Sequence, residues 1–491
     1  MVTAVGLAGV WTDLVATAML GTDRRSLPSV PVGTVEDFGT GPDAAVALLD
    51  RAATVVAARR AGGVPEPVGR PLAECPADPR PPCPRTAARR LGLLLDGRQA
   101  DLLPEWLQAL RAAGLAAPPE HLATLMELTR GDPRARQAVQ EAAGPLAAWL
   151  SEIVPGLGWE PPADPAEAWE RGGTAERIDA LRRLRASDPA GGRALLAAGL
   201  GGERAEVRAA CYGALAIGLG PDDEAVLERA LDDRVASVRV VAADLLAALP
   251  GSAWSARMAR RAEQMVQVVG PPGQDRFDIR LVAPLPARWE RDGIDPSAPA
   301  RTSLGVHVLV QVVAGTPLSW WETLASPSHL VVLATEHELG PALLTGWTAA
   351  ASRQGRADWA HLLVVETEEP SLVDVLDREE VGRLALRLAT ADGMLTPLGL
   401  ATLEALPRPW PAALGPRVAE AVDALFLERR LGRHHVPSLR RLARALDPPV
   451  LLPLAGALSV LDLPPPLDGL RDDLAARLRF RAAMLEELTP V

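Results

Sequence analysis

Lysine and asparagine are absent from the 491-residue sequence, and tyrosine and phenylalanine nearly so, at 1 and 4 residues against 12 tryptophans. The missing lysine excludes two chemistries in their standard form. A Walker A loop needs its Lys to reach the terminal phosphates, and pyridoxal enzymes need a Lys for the Schiff base. Every basic residue apart from histidine is therefore Arg. Arg, Trp, Ala, Gly and Pro in place of Lys, Asn, Tyr and Phe fits a GC-rich coding sequence better than a nucleic-acid surface. A net charge of −11 points the same way, because phosphate binding needs a concentrated positive field. Cysteine is scarce too: Cys75, Cys83 and Cys211 are too few and too scattered for a disulfide framework. Cys75 and Cys83 lie in a Pro- and Gly-dense stretch without a nearby His, unlike a zinc site, so no metal is expected. Apolar runs of the ~18 residues that a membrane span requires are missing. Asp13 and Asp23 interrupt the first apolar stretch, which argues against a signal peptide. A cytoplasmic location is the expectation.

What is present is a helical pattern written twice. Over 195–249 the chain aligns with itself at an offset of about 31 residues, a period typical of stacked helical hairpins. Leu195, Leu196, Gly199 and Leu200 fall on Val226, Leu227, Ala230 and Leu231. Past a short turn, Val207, Ala210, Cys211, Ala214, Leu215 and Gly218 fall on Val238, Val241, Ala242, Leu245, Leu246 and Leu249. Both second sets read i, i+3, i+4, i+7, i+8, i+11, one apolar stripe on a helix. Arg208 and Arg239 follow the lead Val of each copy. The fold class this predicts is all-α: an α-solenoid of helical hairpins, with a Pro/Gly-rich loop or small β-hairpin inserted near the middle.

At 491 residues the chain exceeds one ordinary core. The division expected is an N-terminal helical region over 1–160, a repeat core over 161–265, an irregular insertion or linker over 266–300, and a C-terminal helical-repeat region over 301–491. A first helix over 6–20 should stop at Gly21, before the turn Asp23-Arg24-Arg25. That turn reads either as a helix-end salt-bridge cluster or as a docking site. A helix over 175–185 looks like a degenerate earlier repeat, and Asp222 and Asp223 read as acidic first-turn residues of a helix. In 278–282 the residues alternate like a short strand, and 289–296 reads as a turn-rich loop, a kind of segment that is often functional. Within 303–313 the pattern fits a strand or a helix. Beyond it, Val381, Leu384, Ala385 and Leu388 begin a series of plain helical stripes.

The Leu231-Asp232-Asp233-Arg234 turn, with Val238-Arg239 and the Ala-Ala-Asp-Leu-Leu helix that follows, resembles HEAT repeats. In that family an Asp of the turn and an Arg of the second helix tie neighbouring repeats. The resemblance implies such a ladder for Asp232 or Asp233 with Arg208 and Arg239. Further strings are Leu20-Gly21-Thr22-Asp23-Arg24-Arg25, 289–296, Pro317 to Trp320, Arg353-Gln354 and Asp358-Trp359. Together, and in this order, they resemble an uncharacterised bacterial family of helical proteins over nearly the whole chain. Members of that family stand beside genes for MoxR-type AAA ATPases, von Willebrand factor A domain proteins and SWIM zinc-finger proteins. The resemblance implies a protein partner, an AAA ATPase or a von Willebrand factor A domain protein, and it supplies no catalytic residue.

A search for chemistry finds little. His337 sits between Glu336 and Glu338 without a second His at zincin spacing, and His434-His435 opens a turn before Pro437. Neither a Gly-x-Ser-x-Gly elbow nor a Gly-x-Gly-x-x-Gly fingerprint occurs. The expectation is a non-catalytic scaffold or adaptor without cofactor, binding proteins along a groove. The alternative is a HEAT-like nucleic-acid binder, which would need a local stripe of Arg. Candidate partner-binding residues lie where the repeat breaks: Asp23, Arg24 and Arg25, then Trp289, Arg291 and Asp292.

Overall fold

The computed structural model describes residues 4–29, 43–60, 74–129, 133–154, 165–197, 199–200, 202–271 and 273–489. The boundary expected at 160 lies outside them. The chain divides into two compact units, 1–75 and 76–491. Each is described by itself.

In the first unit the helices Ala4–Leu20 and Ala44–Arg60 pack together around Leu14, Ala47 and Val55. Gly21 ends the first helix at φ +90°, a left-handed angle that glycine adopts without Cβ strain. The Arg25 guanidinium turns back to Asp13 at 2.8 Å.

The second unit is built almost wholly from helices, so the chain is all-α. Its sheet has two short antiparallel strands, Val266–Val269 and Arg276–Ile279, in register Val266 to Ile279. This is the expected hairpin insertion, with its second strand slightly ahead of 278–282. Among the described residues no helix is long and apolar enough to cross a membrane.

Helices pack in two layers because each hairpin has an apolar stripe that only its neighbours can cover. Thr174–Ser187 packs on Ala205–Gly213, and that helix on Ala236–Ala247. Pro189–Ala197 meets Glu224–Ala230 in the other layer. The aligned pairs Leu196 and Leu227, Leu200 and Leu231, Cys211 and Ala242, and Leu215 and Leu246 are all buried. The same pattern recurs near the C-terminus. There Arg378–Leu388, Leu414–Leu427 and Pro448–Ser459 form one row, and Pro397–Ala405, Val436–Ala445 and Leu467–Glu486 the other.

The ambiguous 303–313 segment is the helix Leu304–Gly315, capped by the Ser303 hydroxyl. Helices on several sides explain its near-continuous apolar sequence: it contacts Ala253–Met265, Ala236–Ala247 and Gly340–Gln354. Buried positions all round a helix erase the amphipathic signal.

One packing relation reverses the order of the chain. The helices between Arg85 and Ile153 share a core with Met484 and Leu488 from the chain's end. Arg90 grips Glu487 with two hydrogen bonds of 2.7 and 2.6 Å and lies over the Phe480 ring. Arg481, fully buried, forks onto Glu105 at 2.8 and 2.7 Å and donates to the carbonyls of Ala443 and Leu446. Arg477 bonds Asp101 and Gln99.

Candidate functional site

Arginine ladders join the repeats. Arg177, Arg208 and Arg239 recur every 31 residues. Arg208 makes a two-pronged bond to Asp233, both contacts 2.7 Å, and its third nitrogen donates to the Glu203 carbonyl. Thirty-one residues before Arg208, Arg177 pairs with Glu203 through one nitrogen, Nη1. Arg239 donates to the Asp233 carbonyl at 2.9 Å, repeating the backbone half of the rung. Its outward partner is the carbonyl of Glu290 at 3.2 Å, from the 289–296 loop. That loop thus stands where the next repeat's turn would be. Hydrogen bonds from Arg208, outweighing burial, hold the Asp233 carboxyl below its ordinary range. Asp232 takes no part in this ladder and bonds Arg291 at 2.9 Å.

Asp223 is the acidic first-turn residue that its sequence position predicts. It is buried, takes two contacts of 3.1 and 2.8 Å from the fully buried Arg185, and a third of 3.2 Å from Arg193. Arg185 spends its remaining hydrogens on the carbonyls of Leu215, Ile217, Gly218 and Pro189. A buried guanidinium is tolerated because every donor is used.

The 289–296 loop is a wedge rather than a free tip. It opens with the short helix Ala287–Arg291. Trp289 is 2% exposed and lies under the Arg261 guanidinium, 5.1 Å from ring to cation. Asp292, also 2% exposed, receives Arg257 at 2.9 Å through two nitrogens, Arg291 at 3.0 Å, and Arg261. Its backbone carbonyl accepts the Trp254 indole N–H at 3.0 Å. Gly293 follows at φ +86°, and a Cβ there would stand 2.5 Å from Ala243 Cβ and 3.0 Å from the Arg239 carbonyl oxygen. Gly293→Ala should therefore cost at least about 1–3 kcal/mol from backbone strain alone; urea unfolding that matches the parent would refute this tight seat.

Of the residues singled out in the sequence, Trp289 and Asp292 are thus inside, and Arg291 keeps a partly exposed side chain. Asp23 and Arg24 are exposed, in the first unit.

Behind the wedge lies an open cavity of about 360 Å³. Its floor is Trp254 and Met258. Small residues make the walls: Ala243 and Ala247 on one helix, Ala314 and Gly315 on the second, Ala349 on the third. Ala243 and Ala247, four residues apart, point to one side of their helix. The rim is polar. Asp244 and Arg353 pair across it at 2.7 Å, from helices far apart in sequence. Asp295, Gln311 and His307 form the rest of the mouth. Gln311 locks the loop by accepting from the Asp295 N–H at 2.8 Å and donating to the Asp295 carbonyl at 3.0 Å. His307 Nε2 is buried without a partner among the described residues.

Several of the ordered strings of the sequence meet around this cavity, while Leu20 to Arg25 lies in the first unit. The turn 231–234 and Arg239 support the wedge, 289–296 is the wedge, and Arg353 closes the rim. Beside it, Gln354 caps the Pro317 to Trp320 turn through the Leu318 N–H at 2.9 Å, and the Trp359 indole donates to Glu322 at 2.9 Å. Sequence reading missed Arg177, Glu203, Asp244, Arg257 and Arg261. Arg177 was detectable, since it stands 31 residues before Arg208. The others meet their partners only through long-range packing. An apolar floor with a few convergent polar groups is the usual make-up of a ligand-binding pocket. Among the described residues no three His, Cys, Asp or Glu side chains are grouped to hold a metal ion.

A protein-family profile described as a family of unknown function, DUF5691, matches residues 13–488. No curated protein and no solved structure matches the chain.

Proposed function

This chain belongs to the DUF5691 family of unknown function, and from that premise we propose that it is a non-catalytic, cytoplasmic protein-binding scaffold. In this reading the two helix layers are a HEAT-like α-solenoid, and the 360 Å³ cavity is the deepest point of its binding groove. The observation that carries it is the rim pair Asp244–Arg353 over a cavity with small-residue walls, where strings far apart in sequence converge. Small walls admit a partner's backbone closely, and the charged rim orients it. The partner class follows from the family resemblance: a MoxR-type AAA ATPase or a von Willebrand factor A domain protein, with this chain as adaptor. The central arginines support a protein partner over nucleic acid, because Arg177, Arg185, Arg208, Arg257 and Arg261 are occupied by carboxylates of the same chain.

Affinity purification from the native host, read by mass spectrometry, tests this with the full chain carrying Asp244→Arg or Arg353→Asp. A partly exposed ion pair contributes about 0–1 kcal/mol to folding, so both variants stay folded. Partner recovery should fall about tenfold, a loss of roughly 1.4 kcal/mol of binding. Parent protein that brings down no stable partner would sink the scaffold reading, and unchanged recovery with both variants would move the groove elsewhere.

A further inference from the structure

The chain carries 62 acidic residues against 51 arginines, yet from Arg429 to Arg444 it has six Arg, two His and no Asp or Glu. This is its densest cationic stretch. Folding does not neutralise it fully. Arg430 pairs with Asp392, and Arg441 and Arg444 with Glu404. Arg429, Arg433 and Arg440 are exposed and have no ion-pair partner among the described residues. Arg433 lies in the 3-10 turn Arg433–His435, which leads into the helix Val436–Ala445. On that helix Arg440 and Arg444, four residues apart, share a face. Within the turn the His434 and His435 rings lie against each other, centroids 3.9 Å apart and tilted by 42°.

Arg440 stands at the edge of a second cavity, of about 160 Å³, between this helix and Leu467–Glu486. Val436, Leu439, Leu470 and Leu474 line it with aliphatic surface. Arg477 closes one side and is already held by Asp101 and Gln99. Asp473 is the one carboxylate in the lining. Asp472 on the same helix pairs with Arg471.

We propose that this ridge docks an acidic peptide segment, with a branched aliphatic side chain in the 160 Å³ cavity and flanking carboxylates on Arg433 and Arg440. Charge complementarity names the partner's sign, and the aliphatic lining separates peptide from nucleic acid. Single strands are held by stacking on exposed aromatics, and 429–444 contains no Trp, Tyr or Phe. The surface is distinct from the Asp244–Arg353 groove and does not depend on it.

Fluorescence polarisation of the full chain tests the proposal with a labelled Gly-Glu-Leu-Asp-Glu-Leu-Gly peptide. Two competitors accompany it: the same peptide with Leu replaced by Ser, and an oligothymidylate of equal charge. The acidic Leu peptide should bind, weaken with added salt, and lose about tenfold in affinity with Arg433→Glu plus Arg440→Glu. The Ser peptide should bind several-fold more weakly than the Leu peptide. Both substitutions sit on exposed side chains, so an unchanged thermal melt is expected and checks folding. The proposal is overturned by absence of peptide binding at low salt, by equal affinity of the double variant, or by an oligothymidylate that binds as tightly as the Leu peptide. Partner capture through the Asp244–Arg353 groove should survive the double variant, which separates failure here from failure of the scaffold reading.

Discussion

Asp292→Ala should lower the unfolding free energy by about 3–5 kcal/mol, the usual loss when one side of a buried ion network is removed. Arg257, Arg261 and Arg291 all converge on this carboxylate, which is 2% exposed. Without it, the largely buried Arg261 keeps its charge and loses its counter-ion. Arg261, which lies over Trp289, would lose its anchor, while the backbone carbonyl that accepts from Trp254 remains. Burial by itself pushes the Asp292 carboxyl upward, but the hydrogen bonds and charges of Arg257 and Arg261 outweigh it and hold the group below its ordinary 3.8. A depressed folded value means that its stabilisation is complete above the ordinary carboxylate range and is lost as pH falls through the folded value. The gap between parent and Asp292→Ala should therefore be constant at neutral pH and narrow in strong acid. Urea titrations at several pH values measure this. A gap below 1 kcal/mol at neutral pH, or one that widens in acid, would contradict the network as described.

Arg481→Ala should cost about 3 kcal/mol or more for a related reason. It strips Glu105 of its two-pronged partner, leaving Arg408 at 3.4 Å, and strands the carbonyls of Ala443 and Leu446 in the interior. Arg481→Lys should recover only part of the loss, because an ammonium cannot reproduce the planar fork. The effect has a location as well as a size. Hydrogen exchange should rise across helix Leu103–Ala112, nearly four hundred residues upstream, as well as in helix Leu467–Glu486. Loss of protection confined to the C-terminal helix would mean that the two ends do not depend on each other.

Helices were legible in the sequence wherever one face was dry and the other wet. The repeat at 195–249 and the stripe at Val381 to Leu388 are of this kind, and both are helices whose apolar faces are buried. Leu304–Gly315 was not legible, because neighbours on several sides leave only His307 and Gln311 polar in it and a run of Val fits two periods. The wedge was noticed for the right reason, a break in the repeat, but a break does not say which way a side chain points. Trp289 and Asp292 face inward because Arg257 and Arg261 from an earlier helix receive the acid, and no local spacing encodes such a meeting. Asp244 and Arg353 are 109 residues apart and pair only when three helices have docked. A cluster of six Arg stands at 429–444, hidden in an acidic total. Whole-chain charge averages away a patch of sixteen residues.

The docking of the first helices of the second unit on the last one also has a consequence in time. Asp101 and Glu105 leave the ribosome long before Arg477 and Arg481, each pair being 376 residues apart. At roughly 5–20 residues per second of synthesis, that is a wait of roughly 20–75 s. For that interval the nascent helices expose the apolar seat that Met484 and Leu488 will fill, with carboxylates still facing water. A nascent chain interrupted before 477 would keep this seat open, and it is there that a ribosome-associated chaperone would find it.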